Sequence, residues 1–128
     1  MDKHVIYTDA APEPGPYSQA IRCGNLIFVA GQTSEDPHTN QPVHDSVTAQ
    51  TERIMRNIDT ILQAAGSALD KIVRVDVYLS SMAIKPEFNA AYTPFFKGAP
   101  PARNCVAVAG IDDGLDVEIE VIAFSESV

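Results

Sequence analysis

The residue best suited to chemistry in this sequence is Arg103, which follows a Pro-Pro-Ala stretch at 100–102 and precedes the apolar run 105–109. This context predicts that it begins a buried strand. A guanidinium keeps its charge in such a setting and requires an acceptor. Two explanations are open at this point. One is an ion pair with Glu118 or Glu120, and the other is a fork that grips a substrate carboxylate through two parallel hydrogen bonds.

A row of acidic residues in the last predicted strand is the second candidate. Asp116, Glu118 and Glu120 alternate with valine and isoleucine and therefore share one face of that strand. Such a row is most often the solvated side of an edge strand. Glu120 also shares its face with Ile122 and Phe124, and a carboxylate at an apolar boundary has a raised pKa and can hold or activate a water molecule.

The other polar residues give weaker signals. Tyr17 follows Gly-Pro, which restricts its position, and Asn89 lies near the front of a predicted helix, where capping or exposure is usual. Cys105 has no histidine near it in the sequence to activate the thiol. The three histidines, at 4, 38 and 44, are interpreted as solvated surface residues. The sequence therefore predicts no metal site, no organic cofactor and no covalent catalysis.

Eight elements are predicted to position these residues within one domain that spans 1–128. Apolar runs and alternation predict strands over 5–7, 17–22, 26–30, 73–79, 103–109 and 116–124. Apolar spacings of three and four predict helices over 47–65 and 86–96, and Pro94 is expected to kink or tighten the end of the second. A polar loop is expected over 31–45. This order is typical of an α+β sandwich, in which two helices cover one face of a mixed or antiparallel sheet.

Composition and charge restrict the function. The chain has 128 residues, with 9 Lys and Arg against 17 Asp and Glu, so its formal net charge is −8. This charge opposes binding to nucleic-acid phosphates and to acidic membrane surfaces. No apolar run is long enough to span a membrane, and the first residues do not resemble a secretory signal. The two cysteines, Cys23 and Cys105, follow no disulfide framework, which favours a reduced, cytoplasmic setting.

Five short motifs together resemble the RidA/YjgF family of enamine and imine deaminases. They occur in the family's order along the whole chain: GPYSQA at 15–20, VAGQ at 29–32, NAAY at 89–92, PARNCV at 101–106 and VEIEV at 117–121. The resemblance implies a chorismate-mutase-like fold and a homotrimer whose sheets close into a central β-barrel. It also implies a ligand cleft at each subunit interface, so that oligomerisation would cover the open face of the sheet.

Position by position, the resemblance implies roles for individual residues. Arg103 resembles the arginine that binds the substrate carboxylate, Gly31 the residue whose backbone amide approaches the ligand, and Glu120 the acid that positions the hydrolytic water. The other substrate-binding positions that it implies are Tyr17, Ala30, Asn89 and Cys105.

The function implied is hydrolysis of 2-aminoacrylate-type enamines, or of their 2-imino acid tautomers, to 2-keto acids and ammonia. No metal or organic cofactor is required, because the substrate is already electrophilic. Ala30, Asn104 and the short connection at 97–100 depart from the family's pattern and leave the size of the substrate open. A dedicated catabolic deaminase of the aminomuconate type and a non-catalytic regulator that binds small carboxylates are the alternatives. An endoribonuclease or translation inhibitor fits poorly with a net charge of −8.

Overall fold

One six-stranded sheet is the frame of the molecule. The computed structural model describes residues 2–126, and the strands in that part are β1 (Lys3–Ile6), β2 (Ala20–Cys23), β3 (Leu26–Thr33), β4 (Ile72–Leu79), β5 (Ala102–Ala107) and β6 (Val117–Phe124). Their order in the sheet is β1-β2-β3-β6-β4-β5. The β4–β5 pair is parallel and the other neighbouring pairs are antiparallel. The predicted α+β architecture with a mixed sheet is confirmed.

Two α-helices cover one face of the sheet, α1 (Val47–Ala64) and α2 (Lys85–Tyr92). The Ser46 hydroxyl begins α1 by accepting a hydrogen bond from the Ala49 amide at 3.0 Å. Gly66 follows the end of α1 with φ of 77°, a conformation that a glycine adopts without steric cost. Both ends of the main helix thus follow from local sequence signals.

The second predicted helix and the third predicted strand have different bounds in the structure. The backbone leaves the α-helix after α2 and makes one 3₁₀ turn over Thr93–Phe95, because Pro94 has no amide proton for the helical ladder. β3 continues to Thr33, so residues 31–33 belong to a strand rather than to the predicted loop. This extension carries Gly31 into the sheet.

The apolar core lies between the helices and one face of the sheet. Ile54, Ile58 and Ile61 of α1 are fully buried there, together with Val117 and Ile119 of β6. The alternate residues of the strands point to the other face, where no element of residues 2–126 covers them. Large apolar side chains that are 40–63 % exposed on this open face are Val5, Leu26, Phe28 and Val106.

Two expectations about the strands are wrong. β6 pairs with β3 on one side and with β4 on the other, so its acidic row lies in the middle of the open face and not at an edge. β5, expected to be buried, is the outer strand of the sheet, and most of its residues are exposed. The reason is the crossover through α2, which places β5 parallel to β4 on the outside of the sheet.

A buried glutamine ties α1 to the start of β6. The Gln50 side-chain amide donates to the Asp45 carbonyl at 2.9 Å and to the Asp116 carboxylate at 3.1 Å, and its oxygen accepts from the Asp116 amide at 3.0 Å. Gln50 is 1 % exposed. These bonds fix the position from which β6 carries Glu118 across the open face.

Replacing Gln50 by alanine leaves a buried amide and a buried carbonyl without their partners. We expect Gln50→Ala to lower the free energy of unfolding by about 1–3 kcal/mol, measured by urea denaturation. Gln63→Ala is the matched control, since Gln63 lies exposed on the same helix and its side chain bonds only Asp59, at 3.3 Å. Its effect should stay within about 0.5 kcal/mol. Equal losses in the two variants would show that the Gln50 bonds do not stabilise the fold.

Candidate active site

A cavity of about 260 Å³ lies beside the second half of β3. Tyr17, Ala30, Gly31 and Glu118 are among the residues that line it. The lining also carries the carboxylates of Glu13, Glu35, Asp112 and Asp113, so one wall of the cavity is strongly acidic. Three of the residues predicted from the sequence are therefore brought together here.

A bulge in β3 shapes this cavity. Val29 pairs with Val121 and Gln32 pairs with Ile119, so the two residues Ala30 and Gly31 lie opposite the single residue Glu120. A bulge interrupts the ladder of backbone hydrogen bonds and leaves the extra residue unpaired. The main chain at Gly31 is therefore suited to offer hydrogen bonds to a ligand in the cavity.

Glu118 is the functional candidate to which sequence reasoning gave no role in the site. A Cβ atom at position 31 would overlap Glu118 Oε2, so the carboxylate occupies the space that a side chain there would fill. Burial raises the pKa of Glu118, and the negative charges of Asp112 and Glu120 raise it further. A carboxyl group with these properties in a cavity is suited to exchange a proton with bound water.

Glu120 has a different environment. It lies on the same face of β6 as Glu118 but not among the described residues that line the cavity, and it accepts a hydrogen bond from the Tyr78 hydroxyl. This bond, with burial and the surrounding carboxylates, raises the pKa of Tyr78 to about 12. Tyr78 and Glu120 line a second depression of about 210 Å³ on the open face, to which Glu118 also contributes. The role that the resemblance implied for Glu120 stays a prediction.

Arg103 lies on the opposite face of the sheet. It pairs with the fully buried Val75, and its side chain packs under α2, with the guanidinium carbon 5.0 Å from the Tyr92 ring centre and 5.7 Å from that of Phe88. Arg103 Nη1 donates to Asn89 Oδ1 at 2.9 Å. Asn89 and Arg103, two residues predicted to form the site, are thus in direct contact.

An ion pair between Arg103 and Glu118 or Glu120, one of the two explanations from the sequence, is not formed. The glutamates lie on the open face and the guanidinium lies on the helix face, so the sheet itself separates them. Within residues 2–126, the ion pairs join Arg53 to Asp45 and Arg74 to Asp76. In the described chain the charge of Arg103 therefore has an amide oxygen and two aromatic rings beside it, but no carboxylate.

Six of the seven predicted site residues form two separate groups, and the seventh, Glu120, lies in neither. The cavity group is Tyr17, Ala30 and Gly31, to which the structure adds Glu118, and the arginine group is Asn89, Arg103 and Cys105, which shares the face of Arg103 on β5. Three strand spacings separate β3 from β5, or roughly 14 Å at about 4.8 Å per strand. A small ligand therefore cannot touch both groups of one protomer.

The histidines and cysteines of the described chain form no further site. The three histidines are exposed, and no group of three or more His, Cys, Asp or Glu residues within 2–126 could hold a metal ion. Cys23 and Cys105 are not paired with each other. No helix in this part of the chain is sufficiently long and apolar to cross a membrane.

The family model, the relative and the solved structures that match this chain agree with one another. The family model described as endoribonuclease L-PSP matches residues 8–125. A RutC family protein of Pyrococcus abyssi is 43 % identical over 98 % of this chain and 100 % of its own length. The crystal structure of RidA from an Antarctic Psychrobacter species superposes with a TM-score of 0.90 at 35 % identity, covering 94 % of this chain and 98 % of that one. The structure of Escherichia coli TdcF with bound serine has a TM-score of 0.89 at 30 % identity, covering 96 % and 99 %.

The raised pKa of Glu118 predicts how the stability of the fold depends on pH. Because its pKa in the folded chain lies above the unfolded value of about 4.3, the folded state binds the proton more tightly, and stability falls as the pH rises through the raised folded value. Glu118→Gln removes this loss, so we expect a higher melting temperature than the wild type at pH 7 and a smaller decrease from pH 4 to pH 7.

Differential scanning calorimetry at the two pH values measures this effect. Glu126→Gln, the same exchange at an exposed position near the end of the described chain, should follow the wild-type profile. A Glu118→Gln variant that melts below the wild type at pH 7 would contradict the raised pKa.

Proposed function

Because the chain belongs to the RidA/YjgF family, we propose that it is a deaminase that hydrolyses 2-imino acids, or their enamine tautomers, to 2-keto acids and ammonia. The observation that carries the proposal is the Arg103 guanidinium, which is held by Asn89 and lacks a carboxylate partner in the described chain. Arginine binds a carboxylate with two parallel charge-assisted bonds. The structure of Escherichia coli TdcF with bound serine shows that a relative holds a molecule with a carboxylate group.

The proposed site is completed by a second copy of the chain. The cavity group and the arginine group are too far apart in one protomer, and the open face of the sheet exposes apolar side chains that need a cover. A homotrimer that packs these faces into a central β-barrel satisfies both requirements if the β5 edge of one protomer meets the cavity of the next. Each interface then holds one cleft.

In the proposed reaction, Arg103 holds the substrate carboxylate and the Gly31 main chain contacts the ligand. A water molecule attacks the imine carbon, and the Glu118 carboxylate takes one of its protons and passes it to the nitrogen, which gives a carbinolamine. The hydroxyl proton of the carbinolamine then moves to the nitrogen, the carbon–nitrogen bond breaks, and ammonia leaves. The carbon–nitrogen bond is thereby replaced by the carbonyl of the 2-keto acid. We propose Glu118 for this role rather than Glu120, since Glu118 lines the cavity beside Gly31 and Glu120 is engaged by Tyr78.

The acidity of the chain argues against a ribonuclease function. The family model is described as an endoribonuclease, but this chain has a net charge of −8 and an acidic cavity wall, both of which repel a phosphate backbone. Small imino or enamino carboxylates are the partners we propose, with larger aminomuconate-type enamines as the second substrate class. We also propose a cytoplasmic location, which the cysteine pattern of the sequence favours.

Substitutions at Arg103 and Glu118 test the reaction directly. Imines are generated in situ from a panel of amino acids, and semicarbazide competes with the protein for them. Arg103→Ala should lower kcat/KM about 10- to 150-fold, corresponding to about 1.5–3 kcal/mol for a lost charged contact. Glu118→Gln should lower kcat about 10²- to 10⁴-fold, the usual contribution of general acid–base catalysis.

Two control variants sharpen this assay. Arg56→Ala removes an exposed arginine of α1 and should retain the wild-type rate. Glu120→Gln should reduce the rate less than Glu118→Gln; the reverse order would assign the water to Glu120. Full activity of Arg103→Ala would refute the proposal that Arg103 binds the substrate carboxylate.

The assembly makes a separate prediction. Phe28→Asp places a charge on the open face, so we expect light scattering to show a trimer for the wild type and dissociation to monomers for the variant, with loss of turnover. Met82→Asp, at an exposed residue of similar accessibility outside the sheet, should remain trimeric and active. A fully active Phe28→Asp monomer would exclude the shared cleft.

A further inference from the structure

Tyr92 carries a buried hydroxyl group without a hydrogen-bond partner. The residue is 5 % exposed, and within the described chain its oxygen has no partner of regular hydrogen-bond geometry, although the Arg103 N–H groups lie close enough to interact with it. Buried hydroxyl groups are almost always paired, since an unpaired one loses its water without compensation. The fold needs only the ring of Tyr92 for its core, and a phenylalanine would supply that ring.

The position of this hydroxyl is fixed by its neighbours. The Tyr92 ring packs against Phe88 with 5.2 Å between ring centres and against Phe96 with 4.8 Å. The Arg103 guanidinium lies over the same ring. Burial raises the pKa of the Tyr92 phenol, and the positive charge and the N–H groups of Arg103 oppose this effect. The phenol is therefore protonated at neutral pH and is available as a donor.

The groups that meet at this point supply more hydrogen-bond donors than acceptors, and none of the acceptors is a carboxylate. Arg103 gives one hydrogen bond to Asn89 and has five N–H donors in all, and Tyr92 adds an O–H. A carboxylate has about four lone-pair sites, of which a guanidinium fork uses two. We propose that the Tyr92 hydroxyl is a further substrate-binding group, which donates to the same carboxylate that Arg103 holds. This inference rests on the proposed carboxylate site.

The test measures binding rather than turnover, with 2-oxobutanoate, a 2-keto acid of the product class, as the probe in isothermal titration calorimetry. Tyr92→Phe should weaken binding about tenfold, while its melting temperature without the probe stays equal to the wild type or rises, because an unpaired hydroxyl is removed. Tyr7→Phe makes the same change at a residue that is 53 % exposed and should bind as the wild type does. Arg103→Ala should lose binding.

A second measurement uses the unaltered chain. Labelling the four tyrosines with ¹³C at Cζ gives four resonances, of which the Tyr92 resonance should shift when 2-oxobutanoate is added. Wild-type affinity in Tyr92→Phe, or an unmoved Tyr92 resonance at saturation, overturns the inference and leaves the role of Arg103 intact. Tyr92-dependent binding in a protein that hydrolyses no imine supports the inference and refutes the deaminase instead.

Discussion

The charge of Arg103, which no carboxylate within residues 2–126 neutralises, is the constraint on which the functional interpretation depends. A guanidinium cannot release its proton at physiological pH, so its partners decide whether it stabilises the fold or waits for a ligand. Here those partners are the Asn89 amide oxygen and the faces of two aromatic rings. They orient the fork and desolvate part of it without cancelling its charge. Such an environment strengthens the attraction for an anion that completes it.

The sheet separates the arginine group from the cavity group, so the two groups can meet only between protomers. β6 and β4 lie between the strand that carries the bulge and the strand that carries Arg103, and the side chains of the two groups point to opposite faces. No rotamer change within one protomer brings them together. The apolar open face and the divided site are therefore two consequences of one topology, and the trimer proposed above removes both.

The sequence predicts the fold well where the signal is local. The apolar stripe of α1, the alternation in β6 and the effect of Pro94 all depend on residues a few positions apart. What it could not predict depends on pairing between distant segments. Alternation places Glu118 and Glu120 on one face, but only the register of β6 against the bulge in β3 distinguishes the residue in the cavity from its neighbour. The place of β6 inside the sheet is likewise a matter of long-range pairing.

The charges of the two groups also fit the polarity of the proposed substrate. A 2-imino acid in its protonated form carries a negative carboxylate at one end and a positive iminium at the other. In the proposed shared cleft, Arg103 of one protomer would attract the carboxylate, and the acidic wall of the cavity on the next protomer would attract the iminium end. Burial raises the pKa of Glu35 and of Glu118, and repulsion by the neighbouring carboxylates raises both further. The 2-keto acid product keeps its carboxylate but has lost the positive end, so the acidic wall favours its release over that of the substrate.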